Sequence, residues 1–138
     1  MRIMGIDYGD ARTGVAISDL TSTIAGSAAV VPSRNTEKAI ADIVRLAKEN
    51  QVGEIVVGLP RNMDGTEGAR AELCRAFAEK LKGATGLPVA MWDERRTTVE
   101  AHNILSQHNY HGKKRKDTVD AVAATLILEG YLAFKKRG

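Results

Sequence analysis

Three carboxylates in this 138-residue sequence stand where chemistry is easiest to build. Asp7 closes the apolar run that begins at Ile3, Glu94 comes just after the short run Pro88 to Trp92, and Asp120 falls in the first turn of the last stretch of helical periodicity. Burying an unpaired carboxylate in an otherwise apolar strand is costly, so Asp7 calls for a cation. Acids gathered in one cleft raise one another's pKa values unless positive charge lies between them. Hard oxygen donors with few histidines favour Mg²⁺ or Mn²⁺, which keep several waters and bridge to substrate phosphates. Two such ions can activate a water and stabilise the leaving oxygen of a phosphodiester. The expected chemistry is metal-assisted phosphodiester cleavage, with Asp7, Glu94 and Asp120 as both metal ligands and catalytic residues.

Each acid also has a plainer reading. Glu94 alternatively pairs with Arg95 at the surface, leaving Asp93 as the ligand. Asp120 alternatively serves the positive end of its helix, with Asp117 as the N-cap; Asp117 reads as a cap before it reads as a ligand. Arg12 and Arg95 suit bidentate phosphate contacts, against the ordinary alternative of a salt bridge to a neighbouring acid. The run Lys113, Lys114, Arg115 and Lys116, and a second at Lys135 to Arg137, suit a polyanion, since each phosphate neutralised releases condensed counterions. A solvated loop and tail is the plainer account of both. His102, His108 and His111 lack ligand spacing, and the single Cys74 excludes an internal disulfide. Tyr8 and Trp92 read as packing residues.

The elements that must position these groups follow from hydrophobic period. Arg2 to Tyr8 alternates, with Ile3, Gly5 and Asp7 on one face and Met4, Ile6 and Tyr8 on the other. A turn at Gly9-Asp10 leads to a second strand, Val15 to Ser18, and a third runs from Ser27 to Val31. Thr36 caps a helix carrying Ala39, Ile40, Ile43, Val44 and Ala47. Glu54 to Leu59 is a strand buried on both faces. A helix carrying Leu73, Phe77 and Leu81 then ends at Gly83 and Gly86, and Pro88 to Trp92 is the last strand. A helix from Thr97 or Thr98 toward Leu105 comes next, then a basic loop over Gln107 to Lys116, and a final helix from about Asp117. Right-handed crossovers set the first, fourth and fifth strands side by side and parallel, with the hairpin strands extending one edge. The result is an α/β fold, a mixed five-stranded sheet with helices on both faces. Asp7 and Glu94 then meet at the carboxyl ends of neighbouring strands, where open α/β sheets place their sites.

The hydrophobic and charged fractions, 43% and 27%, are those of an ordinary globular chain, and the length suits one domain over residues 1–138. No apolar run is long enough to span a bilayer and no secretory leader precedes the first strand. A cytoplasmic protein without membrane contact is expected. The formal charge of +3 is mild, so the basic runs matter more than the total.

Met4-Gly5-Ile6-Asp7-Tyr8-Gly9, with Arg12, Gly14, Val15 and Ala16, resembles the opening motif of the YqgF family, also called RuvX. The resemblance continues through Gly58-Leu59-Pro60, Asn62-Met63-Asp64-Gly65 and Gly68, then Asp93-Glu94-Arg95 with Thr97-Thr98. It closes with Asp120 to Ala124 and Leu126 to Leu128. It implies a ribonuclease H-like fold with Asp7, Glu94 and Asp120 as a metal-binding catalytic triad. It also implies a bacterial cytoplasmic nuclease that processes the 5′ end of the 16S ribosomal RNA precursor, with structured RNA and the pre-ribosomal small subunit as partners. Two alternatives accompany it: a Holliday junction resolvase acting on branched DNA, and a non-catalytic RNA-binding assembly factor. Monomer and homodimer both fit, although a resolvase calls for a symmetric pair of active sites. Arg61 departs from the less basic residue of many relatives and bears on substrate detail.

Overall fold

The computed structural model describes residues 1–22, 25–93 and 112–137, the side chains of 112–119 and 137 excepted. Its strands are β1 (Arg2–Asp7), β2 (Arg12–Ser18), β3 (Ala25–Pro32), β4 (Val52–Leu59) and β5 (Val89–Asp93). The helices among the described residues are α1 (Thr36–Glu49), α2 (Ala69–Thr85) and α3 (Gly112–Arg137). One sheet orders the strands β3-β2-β1-β4-β5. β1 runs antiparallel to β2 and parallel to β4, and β4 is parallel to β5. The mixed sheet expected from the sequence is the one observed.

Period-two alternation divides the core in two. Met4, Ile6, Val15, Ile17 and Val57 pack with Ile43 of α1 and Phe77 and Leu81 of α2. On the other face Ile3, Ala16 and Val56 pack with Ala124, Ile127, Leu128 and Leu132 of α3. β4 supplies both faces, which is why it reads as an unbroken apolar run.

Several boundaries differ from expectation. The side chain of Asn35, one residue before Thr36, accepts the Lys38 amide at 3.1 Å and caps α1; a carboxamide oxygen competes well for that role. In α2 the buried residues are Ala71, Cys74, Phe77, Ala78 and Leu81, while Leu73 is 51% exposed. The helix runs through Gly83 and ends at Gly86, whose φ of 71° is the left-handed cap conformation. α3 begins at Gly112, so residues 112–116 are helical where a loop was expected. Lysine and arginine are good helix formers, but a run of them offers no apolar period to read. The expected helix toward Leu105 and residues 107–111 lie outside the described residues. No helix among the described residues is long and apolar enough to cross a membrane.

The far end of α3 is pinned to the sheet by one buried acid. Glu54 of β4 is 8% exposed; its Oε2 accepts the Tyr131 hydroxyl and its Oε1 accepts Lys135 Nζ at 2.5 Å. Lys135, one of the basic residues near the chain's end, is thus part of an ion pair with the sheet. Burial, and after it the hydrogen bond to Glu54, push the Tyr131 hydroxyl up from 10.0 to about 12. Because the folded value lies above the unfolded one, the stability this group contributes is present below pH 10 and fades as pH rises toward 12. Glu54→Gln is expected to move the late tyrosine in an ultraviolet tyrosinate titration back toward the ordinary value. It should also cost about 1–3 kcal/mol in urea unfolding, because a buried charge-assisted pair is broken. A late tyrosine unmoved by the substitution would exclude Glu54 as its partner.

Candidate active site

Asp7 is the last residue of β1, half-buried, and pairs across the hairpin with Gly14 of β2. Ile3 belongs to the α3-side core and Gly5 lies against Leu128, so alternation gives Asp7 the α3 face as well. Its neighbours Ile6 and Tyr8 belong to the opposite core.

Two glycines let α3 come close to that face. A Cβ on Gly5 would stand 2.8 Å from Leu128 Cβ and 3.0 Å from the Ala124 carbonyl oxygen. A Cβ on Gly14 would stand 2.0 Å from the Asp120 carbonyl oxygen and 2.6 Å from its carbon. The backbone of Asp120 therefore rests directly on Gly14, the cross-strand partner of Asp7. The packing of α3 on the β1–β2 hairpin brings the two acids to one place.

Arg12, two residues before Gly14 on β2, joins them. Its Nε donates to Asp120 Oδ2 at 3.4 Å, with side chains 29% and 25% exposed. The salt bridge weighed as the ordinary account of Arg12 is present, and it sets the guanidinium beside Asp120.

Asp120 does not lie in the first turn of its helix. With α3 starting at Gly112 it sits well inside, beyond the turn over which a helix terminus favours negative charge. Asp117 likewise lies within α3 and does not precede it as an N-cap.

The competing ligand Asp93 is carried elsewhere. β5 sets Val89 and Met91 against the α1–α2 core and Ala90 and Trp92 against the α3-side core. Alternation then gives Asp93, paired with Leu59, the α1–α2 face, opposite that of Asp7. Glu94 and Arg95 lie outside the described residues. Among the described residues, no three His, Cys, Asp or Glu side chains gather closely enough to hold a metal ion. Lys113, Lys114, Arg115 and Lys116 have helical backbone at the start of α3, and their side chains lie outside the description.

Tyr8 and Trp92 are packing residues, as expected. Tyr8 stacks on Phe77 with ring centroids 4.0 Å apart and planes 12° apart, and Trp92 meets Tyr131 edge-on at 6.3 Å. The unusual Arg61 lies 3.6 Å from Glu67. Glu67 also accepts two hydrogen bonds of 2.7 Å from Arg75, which hold its carboxyl below the usual carboxylate range.

Sequence reasoning passed over the supports of the turn that follows Asp7. Ser33 Oγ donates to the Gly9 carbonyl at 2.5 Å, and the Ser33 amide donates to Ala11. Arg70 of α2 donates to Asp10 Oδ1 at 2.7 Å and to the Tyr8 carbonyl. The one available signal was topological: α2 starts near the carboxyl end of β4, beside the carboxyl end of β1.

The whole chain has known counterparts. Residues 1–134 match the RuvX family, described as Holliday junction resolvase. A protein of Halothermothrix orenii is 45% identical over 137 residues, 99% of this chain and 98% of that one. One of Thermoanaerobacter pseudethanolicus is 44% identical over 137 residues, 99% of each chain. Both are named as proposed pre-16S rRNA nucleases. Among solved structures, the fowlpox virus Holliday junction resolvase superposes with a TM-score of 0.60 at 14% identity, covering 97% of this chain and 99% of that one. Thermus thermophilus RuvC in complex with a Holliday junction substrate gives 0.58 at 15% identity, covering 99% and 96%. The fold is ribonuclease H-like, as the motif resemblance implied.

Proposed function

Since the chain belongs to the RuvX family, we propose that it is a divalent-metal-dependent nuclease that trims the 5′ end of the 16S ribosomal RNA precursor in the cytoplasm. The observation that carries this reading is the seating of Asp120 on Gly14, directly beside Asp7 at the carboxyl end of β1. Two half-buried carboxylates on one face, with Arg12 alongside, are a donor set of hard oxygens that suits Mg²⁺ or Mn²⁺. Glu94 is the third ligand of this proposal. It follows Asp93 directly in the sequence, and its place in the ligand set rests on the motif resemblance.

A bound cation would polarise the scissile phosphate and acidify the attacking water. The chain itself fixes the ligands in advance. Asp7 is held by the β1–β2 ladder and Asp120 by the rigid packing of α3, so little reorganisation is left for substrate binding. Arg12, held beside Asp120, carries a planar guanidinium that suits contact with a phosphate oxygen. The run Lys113 to Lys116, just ahead of Asp120 in the sequence, and Arg95 are the further cations proposed to meet the nucleic-acid phosphates.

RNA is preferred to branched DNA because relatives more than 40% identical over nearly the whole chain are named for the ribosomal RNA precursor. The resolvases share only the fold. The deciding experiment presents precursor RNA and a synthetic four-way junction to the protein, with Mg²⁺ or with EDTA. Cleavage of the RNA at its 5′ flank, lost in EDTA and restored by Mg²⁺ or Mn²⁺, is the expected result. Symmetric cutting of the junction with the RNA untouched would favour the resolvase. Tight RNA binding without cleavage under any metal would make the protein an assembly factor.

A further inference from the structure

We propose that Arg70 is a positioning residue for Asp7, acting through the sheet from the opposite face; the proposal rests on the nuclease reading above. Arg70, in the first turn of α2, reaches the turn between β1 and β2 by three routes. One guanidinium nitrogen donates to Asp10 Oδ1 at 2.7 Å, a second donates to the Tyr8 carbonyl, and the guanidinium lies 5.0 Å from the centre of the Tyr8 ring. Phe77, two turns further along α2, stacks on the same ring at 4.0 Å. One helix thus grips both the backbone and the side chain of the residue that follows Asp7.

The consequence follows from where the ladders stop. The pairing of β1 with β4 ends at Ile6 and Val57, and its pairing with β2 ends at Asp7 and Gly14. Beyond that point the chain just after Asp7 is steadied at the Tyr8–Gly9 peptide, whose carbonyl accepts from Arg70 and whose amide donates to Thr13 Oγ1 at 3.4 Å, and at the Gly9 carbonyl, which accepts from Ser33. The Asp10 carboxylate is 88% exposed, so that ion pair contributes little alone. The bond to the Tyr8 carbonyl and the cation over the ring carry the restraint. Tyr8 packs into the α1–α2 core while Asp7 takes the α3 face. Arg70 therefore does not share the face on which substrate would meet Asp7, and its effect belongs in kcat and not in KM.

The test compares wild type, Arg70→Met and Arg70→Lys by steady-state cleavage of precursor RNA and by amide hydrogen exchange. Methionine keeps the aliphatic stem without any donor, and lysine keeps the charge but not the fork. For Arg70→Met the expected loss in kcat is on the order of 10- to 100-fold, the penalty of a misplaced catalytic group. KM should hold, and exchange should quicken at residues 8–11 while α1 and α3 stay protected. Arg70→Lys should recover part of the loss. A change in KM alone would make Arg70 a substrate contact, and an unchanged kcat would remove its role; either overturns the proposal. Exchange that quickens everywhere in Arg70→Met, with Arg70→Lys indistinguishable from it, would reduce Arg70 to a fold-stabilising residue and overturn it too. A wild-type protein that cleaves nothing would defeat the nuclease reading instead. The exchange comparison would still decide the clamp, because unaltered protection at Gly9 and Asp10 overturns it.

Discussion

Asp7→Asn is expected to abolish cleavage while leaving the protein folded. Asparagine has nearly the shape of aspartate and can still hydrogen-bond, so the β1–β2 ladder at Asp7 and Gly14 has no reason to change. What disappears is the charge proposed to hold a cation beside Asp120. Charge stabilisation by a bound metal is worth several kcal/mol in the transition state, and about 4 kcal/mol corresponds to a loss of roughly 10³-fold in kcat. Stability is expected to change little, because asparagine keeps the shape of aspartate at this position. Single-turnover cleavage with Mg²⁺, alongside thermal melting, reads both effects. Residual activity within a factor of about ten of wild type would be too small a loss for a metal ligand.

Gly14→Ala tests the same site through its architecture. The added methyl would stand 2.0 Å from the Asp120 carbonyl oxygen, and what it meets is helix backbone, not the end of a pliable side chain. Relief requires α3 to move by about 1.5 Å to reach ordinary van der Waals separation. Overpacking of this kind costs about 1–3 kcal/mol. A shift of that size between Asp7 and Asp120 is expected to lower kcat about 100-fold. Gly26→Ala is the matched control, because its Cβ would meet the Ile17 carbonyl oxygen at 3.5 Å, an ordinary contact. Wild-type melting and kcat in Gly14→Ala would show that the seating of α3 on Gly14 does not set the site.

The sheet was legible in the sequence because its signals are local. Alternation at Ile3, Gly5 and Asp7 against Met4, Ile6 and Tyr8 assigns the same faces that the two cores occupy. The handedness of crossovers then leads to the observed strand order. The start of α3 was not legible, because Gly112 to Lys116 carries charge without period, and the position of Asp120 within the helix went with it. The outward Leu73 shows the same limit: an apolar residue at helical spacing need not face the core when Ala71 and Cys74 fill it. The sequence left Asp93 and Glu94 open as ligands because a single residue of strand exchanges the faces. The meeting of Asp7 with Asp120, and the grip of Arg70 on Tyr8, depend on residues distant in the chain, and no local pattern announces them.

The central claim is that Asp7, Glu94 and Asp120 together hold the cation that cleaves the substrate. It is tested most directly by titrating Mn²⁺ into the protein in the presence of an uncleavable precursor RNA, comparing wild type with Asp7→Asn, Glu94→Gln and Asp120→Asn. The account predicts saturable Mn²⁺ binding to wild type that is weakened at least tenfold, about 1.4 kcal/mol, in each variant while the RNA still binds. Equal Mn²⁺ affinity in wild type and all three variants would contradict it.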